Sequence, residues 1–81
     1  MLFITLLMPK SKGVEAIKYI KELKAPKDIT IRDVYFTFGR YDGAIIFEAP
    51  DLKTAMNFIM QVGFTSGYTV ETLAAVSAKE L

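Results

Sequence analysis

The sequence predicts an α+β fold with one four-stranded antiparallel sheet and two helices on one face of it. Three observations predict this fold. Short apolar segments and two amphipathic segments follow in the order strand, helix, strand, strand, helix, strand. A loop with Gly at both ends, Gly39–Gly43, separates the second and third strands, and Pro50-Asp51 follows the third strand. The 81 residues are the size of a single domain, so we interpret residues 1–81 as one domain.

The first strand is predicted over Leu2–Met8, which is short, apolar and partly β-branched. Both faces of this strand are apolar, whereas a strand with one face in water alternates apolar and polar residues. The first helix is predicted to run from an N-cap at Ser11 to about Leu23, and Ala25-Pro26 ends it. Its expected buried stripe consists of Gly13, Ala16, Ile17, Ile20 and Leu23.

The second strand is predicted over Ile29–Phe38. Its apolar alternation changes parity between Ile31 and Val34, which indicates a β-bulge at Arg32-Asp33.

The loop Gly39–Gly43, with the sequence GRYDG, is predicted to join the second strand to a third strand over Ala44–Glu48. Gly39 and Gly43 are expected to supply a positive φ angle or a close backbone approach in this turn.

The second helix is predicted to start at the N-cap Asp51 and to reach about Val62, with Gly63 just after its end. Its expected buried stripe is Ala55, Phe58, Ile59 and Val62, flanked by Met56 and Met60 as core filler. A fourth strand is predicted over Tyr68–Val76. The resulting order, β-α-β-β-α-β, is that of the ferredoxin-like fold.

Composition indicates a partner for the uncovered face of this sheet. Apolar residues make up 52% of the chain and the mean hydropathy is +0.30, which is more than the single core of a small domain needs. The uncovered face is expected to carry Tyr35, Thr37, one apolar row of the first strand and one row of the fourth. We therefore expect a homo-oligomer of the dimeric α/β-barrel type, packed sheet to sheet, with edge pairing of strands as a second route to a larger assembly.

Charge and residue absences exclude several functions. Ten basic and nine acidic residues give a net charge of +1, which argues against nucleic-acid binding. No apolar run approaches the roughly 20 residues that span a membrane, and the N-terminal run lacks the basic start and cleavage site of a signal peptide, so a cytoplasmic location is expected. The chain has no Cys and no His, so we expect no disulfide, no thiolate or imidazole catalysis, no metal and no cofactor.

Two segments carry a resemblance to a known family. The sequence FTFGRYDGAIIFEAPD (Phe36–Asp51), with Gly39-Arg40-Tyr41-Asp42 at its centre, resembles the GYD-domain family, and TVETLAA (Thr69–Ala75) resembles the last strand of that family. The resemblance implies a small ferredoxin-like α+β domain. It implies no biochemical activity, because none is established for the family.

Four side chains are candidates for ligand binding or for an interface: Arg40, Tyr41, Asp42 and Glu48. In the interpretation that we favour, Asp42 caps the turn and Tyr41 packs at a subunit interface. Arg40 then pairs with Asp42, with Glu48 or with a carboxylate of a partner chain. Glu48 and Glu71 are expected to form surface or interface ion pairs rather than an acid/base pair.

Three functions remain open on the sequence alone. The first is a non-enzymatic oligomeric domain, either structural or binding a small effector at a subunit interface. The second is a cofactor-free enzyme of the dimeric α/β-barrel type in which Arg40, Tyr41 and Asp42 line a cavity. The third is a sensor of an amino-acid-like metabolite, with Arg40 binding the carboxylate of that small molecule in a bidentate manner.

Overall fold

The strand β1 lies inside the sheet, between β3 and β4, and its two rows of side chains face opposite sides of the sheet. The computed structural model describes residues 1–8 and 14–81. Within them the strands pair in the order β2-β3-β1-β4, every neighbouring pair is antiparallel, and the ferredoxin-like prediction is confirmed. The elements are β1 (Leu2–Met8), α1 (Val14–Lys21), β2 (Thr30–Phe36), β3 (Gly43–Glu48), α2 (Leu52–Ser66) and β4 (Thr69–Ala75), followed by one 3₁₀ turn (Ala78–Glu80). The predicted cap Ser11 and stripe residue Gly13 lie outside the described residues.

The two faces of β1 have different surroundings. Phe3, Thr5 and Leu7 are at most 1% exposed and lie under the helices, whereas the alternate residues are only half-buried. The same alternation runs along β3, where Ile45 and Phe47 are fully buried. Because both helices lie on one side, the opposite face of the sheet has no layer over it within the described chain.

Three aromatic rings connect the sheet to α2. The ring of Phe47 stacks on Phe3 with centroids 5.4 Å apart, and it meets the ring of Phe58 edge-on at 5.0 Å. Each such pair contributes about 0.5–1.5 kcal/mol beyond the area that it buries. Beside them, the buried hydroxyl of Thr5 forms a hydrogen bond of 2.8 Å with the hydroxyl of Thr72 on β4, so it is not left unsatisfied.

The predicted bulge in β2 is confirmed. Ile31 pairs with Phe47 and Asp33 pairs with Ile46, so the register shifts between those positions and Arg32 is the extra residue. β2 ends at Phe36 rather than at the predicted Phe38. Beyond Phe36, one further bond in the same register, from the Thr37 N–H to the carbonyl of Asp42 at 2.8 Å, closes the loop.

The start of α2 was predicted correctly, but its end was not. The Asp51 carboxylate accepts from the Thr54 N–H at 2.8 Å, as expected of an N-cap. The helix continues past the predicted end at Val62 to Ser66, and Gly63 lies inside it. Gly67 ends it with a φ of 80°, a left-handed conformation that glycine adopts without steric cost, while its N–H donates to the Gly63 carbonyl at 2.9 Å.

The apolar stripe of α1 is rotated from the predicted one. Ala16 and Ile20 are buried and Leu23 packs against the core, as expected. Ile17, however, is 45% exposed, and Tyr19 packs against the core instead. Residues 16, 19, 20 and 23 form one continuous helical face, and Ile17 lies at its margin.

Gly43→Ala and Gly63→Ala should change stability in opposite directions. A Cβ at position 43 would lie 2.5 Å from the Tyr35 carbonyl oxygen, so the sheet must shift, and we expect a loss of about 1–3 kcal/mol. A Cβ at position 63 would meet only ordinary contacts, the nearest at 3.6 Å, so alanine in the helix should add about 0.4–1 kcal/mol. Urea unfolding at one protein concentration measures both, and equal effects of the two changes would contradict this packing.

Candidate functional site

The uncovered side of the sheet presents an apolar surface, which we call the open face. Its members follow from the strand register, because residues directly opposite each other share a face. At its centre Ile4 lies between Ile46 of β3 and Leu73 of β4. The open face consists of Leu2, Ile4, Leu6 and Met8 from β1, Ala44, Ile46 and Glu48 from β3, Thr69, Glu71, Leu73 and Ala75 from β4, and Thr30, Asp33 and Tyr35 from β2.

Two separate polar contacts lie at the ends of the open face. At one end the guanidinium of Arg32 donates to Glu48 at 2.8 Å, and at the other the Tyr41 hydroxyl lies 3.5 Å from a carboxylate oxygen of Glu71. Glu48 is opposite Leu2 and Glu71 is opposite Leu6. Four residues of strand separate these positions by about 13 Å. The two carboxylates therefore do not form a pair, and each has its own partner.

Backbone contacts fix the GRYDG loop to the sheet. The Thr37 hydroxyl donates to the Tyr41 carbonyl at 2.6 Å, and the Asp42 N–H donates to the Leu7 carbonyl at 2.7 Å. Gly39 has a φ of 131°, which an L side chain rarely adopts. The loop is thus held against the end of β1, and both of its glycines serve the backbone as predicted.

Asp42 faces a buried tyrosine that the sequence analysis did not single out. The side chain of Tyr68 is only 4% exposed, and the Asp42 carboxylate lies near its phenol. Burial, followed by the negative charge of Asp42 and a hydrogen bond to its carboxylate, raises the pKa of the Tyr68 phenol. Asp42 therefore interacts with the start of β4, and its capping of the turn stays a prediction.

Arg40 and Tyr41 have different surroundings from Asp42. The guanidinium carbon of Arg40 lies 5.9 Å from the centre of the Tyr41 ring, within cation–π range. Of the three partners expected for Arg40, neither Asp42 nor Glu48 forms a salt bridge with it among the described residues, and Glu48 binds Arg32. A carboxylate of a partner chain stays a prediction. Tyr41 reaches Glu71 on the open face, while Asp42 reaches Tyr68. The three loop residues thus do not converge on one cavity, and Arg40 is an exposed cation at the edge of the open face.

A second apolar surface lies between α2 and β4, and we call it the edge groove. It is a cavity of about 430 Å³ with Phe3, Met56, Met60, Thr72 and Ala74 among its lining residues. Met56 and Met60 were expected to fill the core, but each is 52% exposed. Helical periodicity placed them at the margin of the buried stripe, where sequence alone cannot separate core from surface.

Two kinds of feature are not found in the described residues. No group of three or more Asp or Glu side chains within residues 1–8 and 14–81 could hold a metal ion. Among the helices of the same residues, none is long and apolar enough to cross a membrane.

Tyr68→Phe should lower stability by about 1–2 kcal/mol at neutral pH, because it removes a hydrogen bond to a carboxylate. The raised pKa means that the folded state holds the phenol proton more tightly than the unfolded state. The stability that this contributes is present below the unfolded pKa of about 10 and is lost as the pH rises through the folded value. The advantage of Tyr68 over Phe should therefore shrink above about pH 10, which urea unfolding from pH 7 to 11 measures; a difference independent of pH would contradict it.

A double-mutant cycle tests whether Asp42 is the partner of Tyr68. Asp42→Ala and Tyr68→Phe should each destabilise the protein, and together they should cost less than the sum of the two by about 1 kcal/mol. Additive effects would show that the two side chains act independently.

Comparison with known proteins agrees with the fold and with the two sequence segments. Comparison with curated proteins and with solved structures gives no match. The family model described as the GYD domain matches residues 6–81, which include the GRYDG loop, β4 and nearly all the rest of the chain. The chain therefore belongs to the GYD domain family.

Proposed function

We propose that the chain is a non-enzymatic, self-associating domain whose open face binds the open face of a second copy. The observation that carries this proposal is the apolar centre of the open face. Ile4, Ile46 and Leu73 lie side by side there, and Leu73 is 45% exposed. Contiguous apolar patches of this kind on soluble proteins mark interaction sites.

The total exposed area supports a missing partner. The chain exposes 5720 Å². A compact folded monomer of 9.1 kDa exposes about 4,900 Å², so this chain exposes about 800 Å² more.

The arrangement of polar groups on the open face also fits an interface. Stable interfaces have an apolar centre and a polar rim. Here the Arg32–Glu48 ion pair and the Tyr41–Glu71 contact lie at opposite ends of the face, with the apolar centre between them. Tyr35, which is 52% exposed, adds an aromatic side chain of the type that is enriched at interfaces.

Pairing of two open faces accounts for the composition of β1. Two sheets packed face to face lie about 10 Å apart, with their side chains interdigitated. The row Leu2, Ile4 and Leu6 then lies between two sheets, while the row starting at Phe3 lies under the helices. β1 becomes buried on both sides, which is the environment that its two apolar faces predict.

Ile46→Lys should halve the mass of the assembly. The substitution replaces an apolar side chain at the centre of the open face by a charged one, beside Asp33 of β2, and this charge must lose water when two open faces pack together. Ile17→Lys is the matched control, because Ile17 is 45% exposed on α1, on the other side of the molecule. Sedimentation velocity at micromolar concentration measures the mass, and circular dichroism confirms that both variants are folded.

Leu73→Lys provides a second test of the same surface, at a residue as exposed as the control. It should reproduce the effect of Ile46→Lys, while Ile17→Lys keeps the wild-type mass. A wild-type protein that sediments as a monomer, or an equal effect of all three substitutions, would overturn the proposal.

A further inference from the structure

The two edges of the sheet differ in how they are protected against pairing with another strand. The β2 edge has a bulge at Arg32, and Arg32 and Asp33 are exposed charged residues next to it. The β4 edge pairs with β1 at all seven positions without a register shift, and its sequence TVETLAA contains no Pro and one charged residue, Glu71, whose carboxylate lies on the open face near Tyr41. Soluble proteins interrupt exposed edges with bulges, Pro or charges, or else cover them. The β4 edge thus has the character of a covered strand.

An apolar stripe on α2 runs beside that edge. Four side chains spaced four residues apart lie on one side of the helix, and they are between 52% and 83% exposed: Leu52, Met56, Met60 and Phe64. The stripe is about 18 Å long and β4 is about 23 Å long, so the two features run nearly the same length. Met56 and Met60 also line the edge groove, which joins the stripe to β4.

We propose that the β4 edge binds the β4 edge of a second copy, antiparallel and about a two-fold axis at Thr72. β4 extends from Thr69 to Ala75, so Thr72 is its central residue, and only this register pairs the whole strand with its copy. Thr72 then faces Thr72 of the second copy, a favourable cross-strand pair. Glu71 faces Leu73, so the two Glu71 carboxylates are not directly opposite each other.

The same axis brings the two apolar stripes together. The edge groove is lined by α2, by Phe3 of β1 and by Thr72 of β4, so α2 lies above β1 and β4. With strands about 4.8 Å apart, an α2 axis above the gap between β1 and β4 lies roughly 10 Å from its copy across the two-fold axis. Packed helices are separated by 8–10 Å. Strand pairing and helix packing are therefore satisfied by one arrangement.

Self-complementarity favours a second copy over an unrelated strand as the occupant. An isolated strand would satisfy the backbone of the edge but would leave Leu52 and Phe64 at the two ends of the stripe in water. A second copy covers the stripe with an identical apolar stripe, as a two-fold interface requires. The edge groove shares no residue with the centre of the open face, so both interfaces can form at once. Two different two-fold interfaces close into a tetramer when their axes intersect at right angles, which is the assembly proposed here.

Four variants and the wild type test this assignment by sedimentation velocity. Met60→Lys should halve the wild-type mass by placing a charge in the paired stripes. Asn57→Lys is the control, because Asn57 is exposed on the same helix but outside the stripe and the edge groove. Ile46→Lys should also give half the mass, and the double variant Ile46→Lys/Met60→Lys should be a monomer.

The outcomes separate the edge from the open face. If Ile46→Lys halves the mass while Met60→Lys has the wild-type mass, the edge pairing is overturned and the open-face pairing stands. If Met60→Lys alone halves the mass, the open-face proposal fails and the edge pairing stands. A wild-type dimer that Ile46→Lys converts to a monomer and Met60→Lys leaves intact overturns the edge pairing and leaves β4 free for a strand of another protein.

Hydrogen exchange provides a readout specific to the backbone of the edge. The amides of β4 that point away from β1 should be protected in the wild type and in Ile46→Lys, and should exchange at least tenfold faster in Met60→Lys. Equal exchange of these amides in the three proteins would overturn the strand pairing.

Discussion

The structure depends on a central strand that is apolar on both faces but is covered on only one. The row of β1 that starts at Phe3 is buried by the helices, largely through the contacts of Phe3 with Phe47 and of Phe47 with Phe58. The alternate row, centred on Ile4, has no such layer in the described chain. A small domain has too little interior to bury both rows, and in the self-association that we propose a second copy covers the alternate row.

The GRYDG loop connects the strands on both sides of β1. Its backbone binds β1 through the Leu7 carbonyl, Asp42 binds Tyr68 at the start of β4, and Tyr41 reaches Glu71 within β4. These contacts give the residues of the GRYDG loop a structural role, which does not require that they take part in a reaction. They also position Tyr41 at the rim of the open face, so the segment that identifies the family lies beside the surface that we propose for self-association.

Features that depend on neighbouring residues could be predicted from the sequence, and features that depend on distant contacts could not. The bulge at Arg32 follows from a change of apolar parity, and the cap at Asp51 from its side-chain chemistry. The end of α2 was predicted wrongly because Gly63 and Gly67 could each end a helix. Only the turn into β4 determines that Gly67 does so. The bond between Asp42 and Tyr68 joins residues far apart in sequence, and no local pattern indicates it.

Intermolecular nuclear Overhauser effects in a mixture of isotope-labelled and unlabelled protein test the open-face pairing most directly. We expect contacts between the methyl groups of Ile4, Ile46 and Leu73 in one copy and the open face of the other, because these side chains lie at the centre of that surface. An oligomer in which these methyl groups show only intramolecular contacts would contradict it.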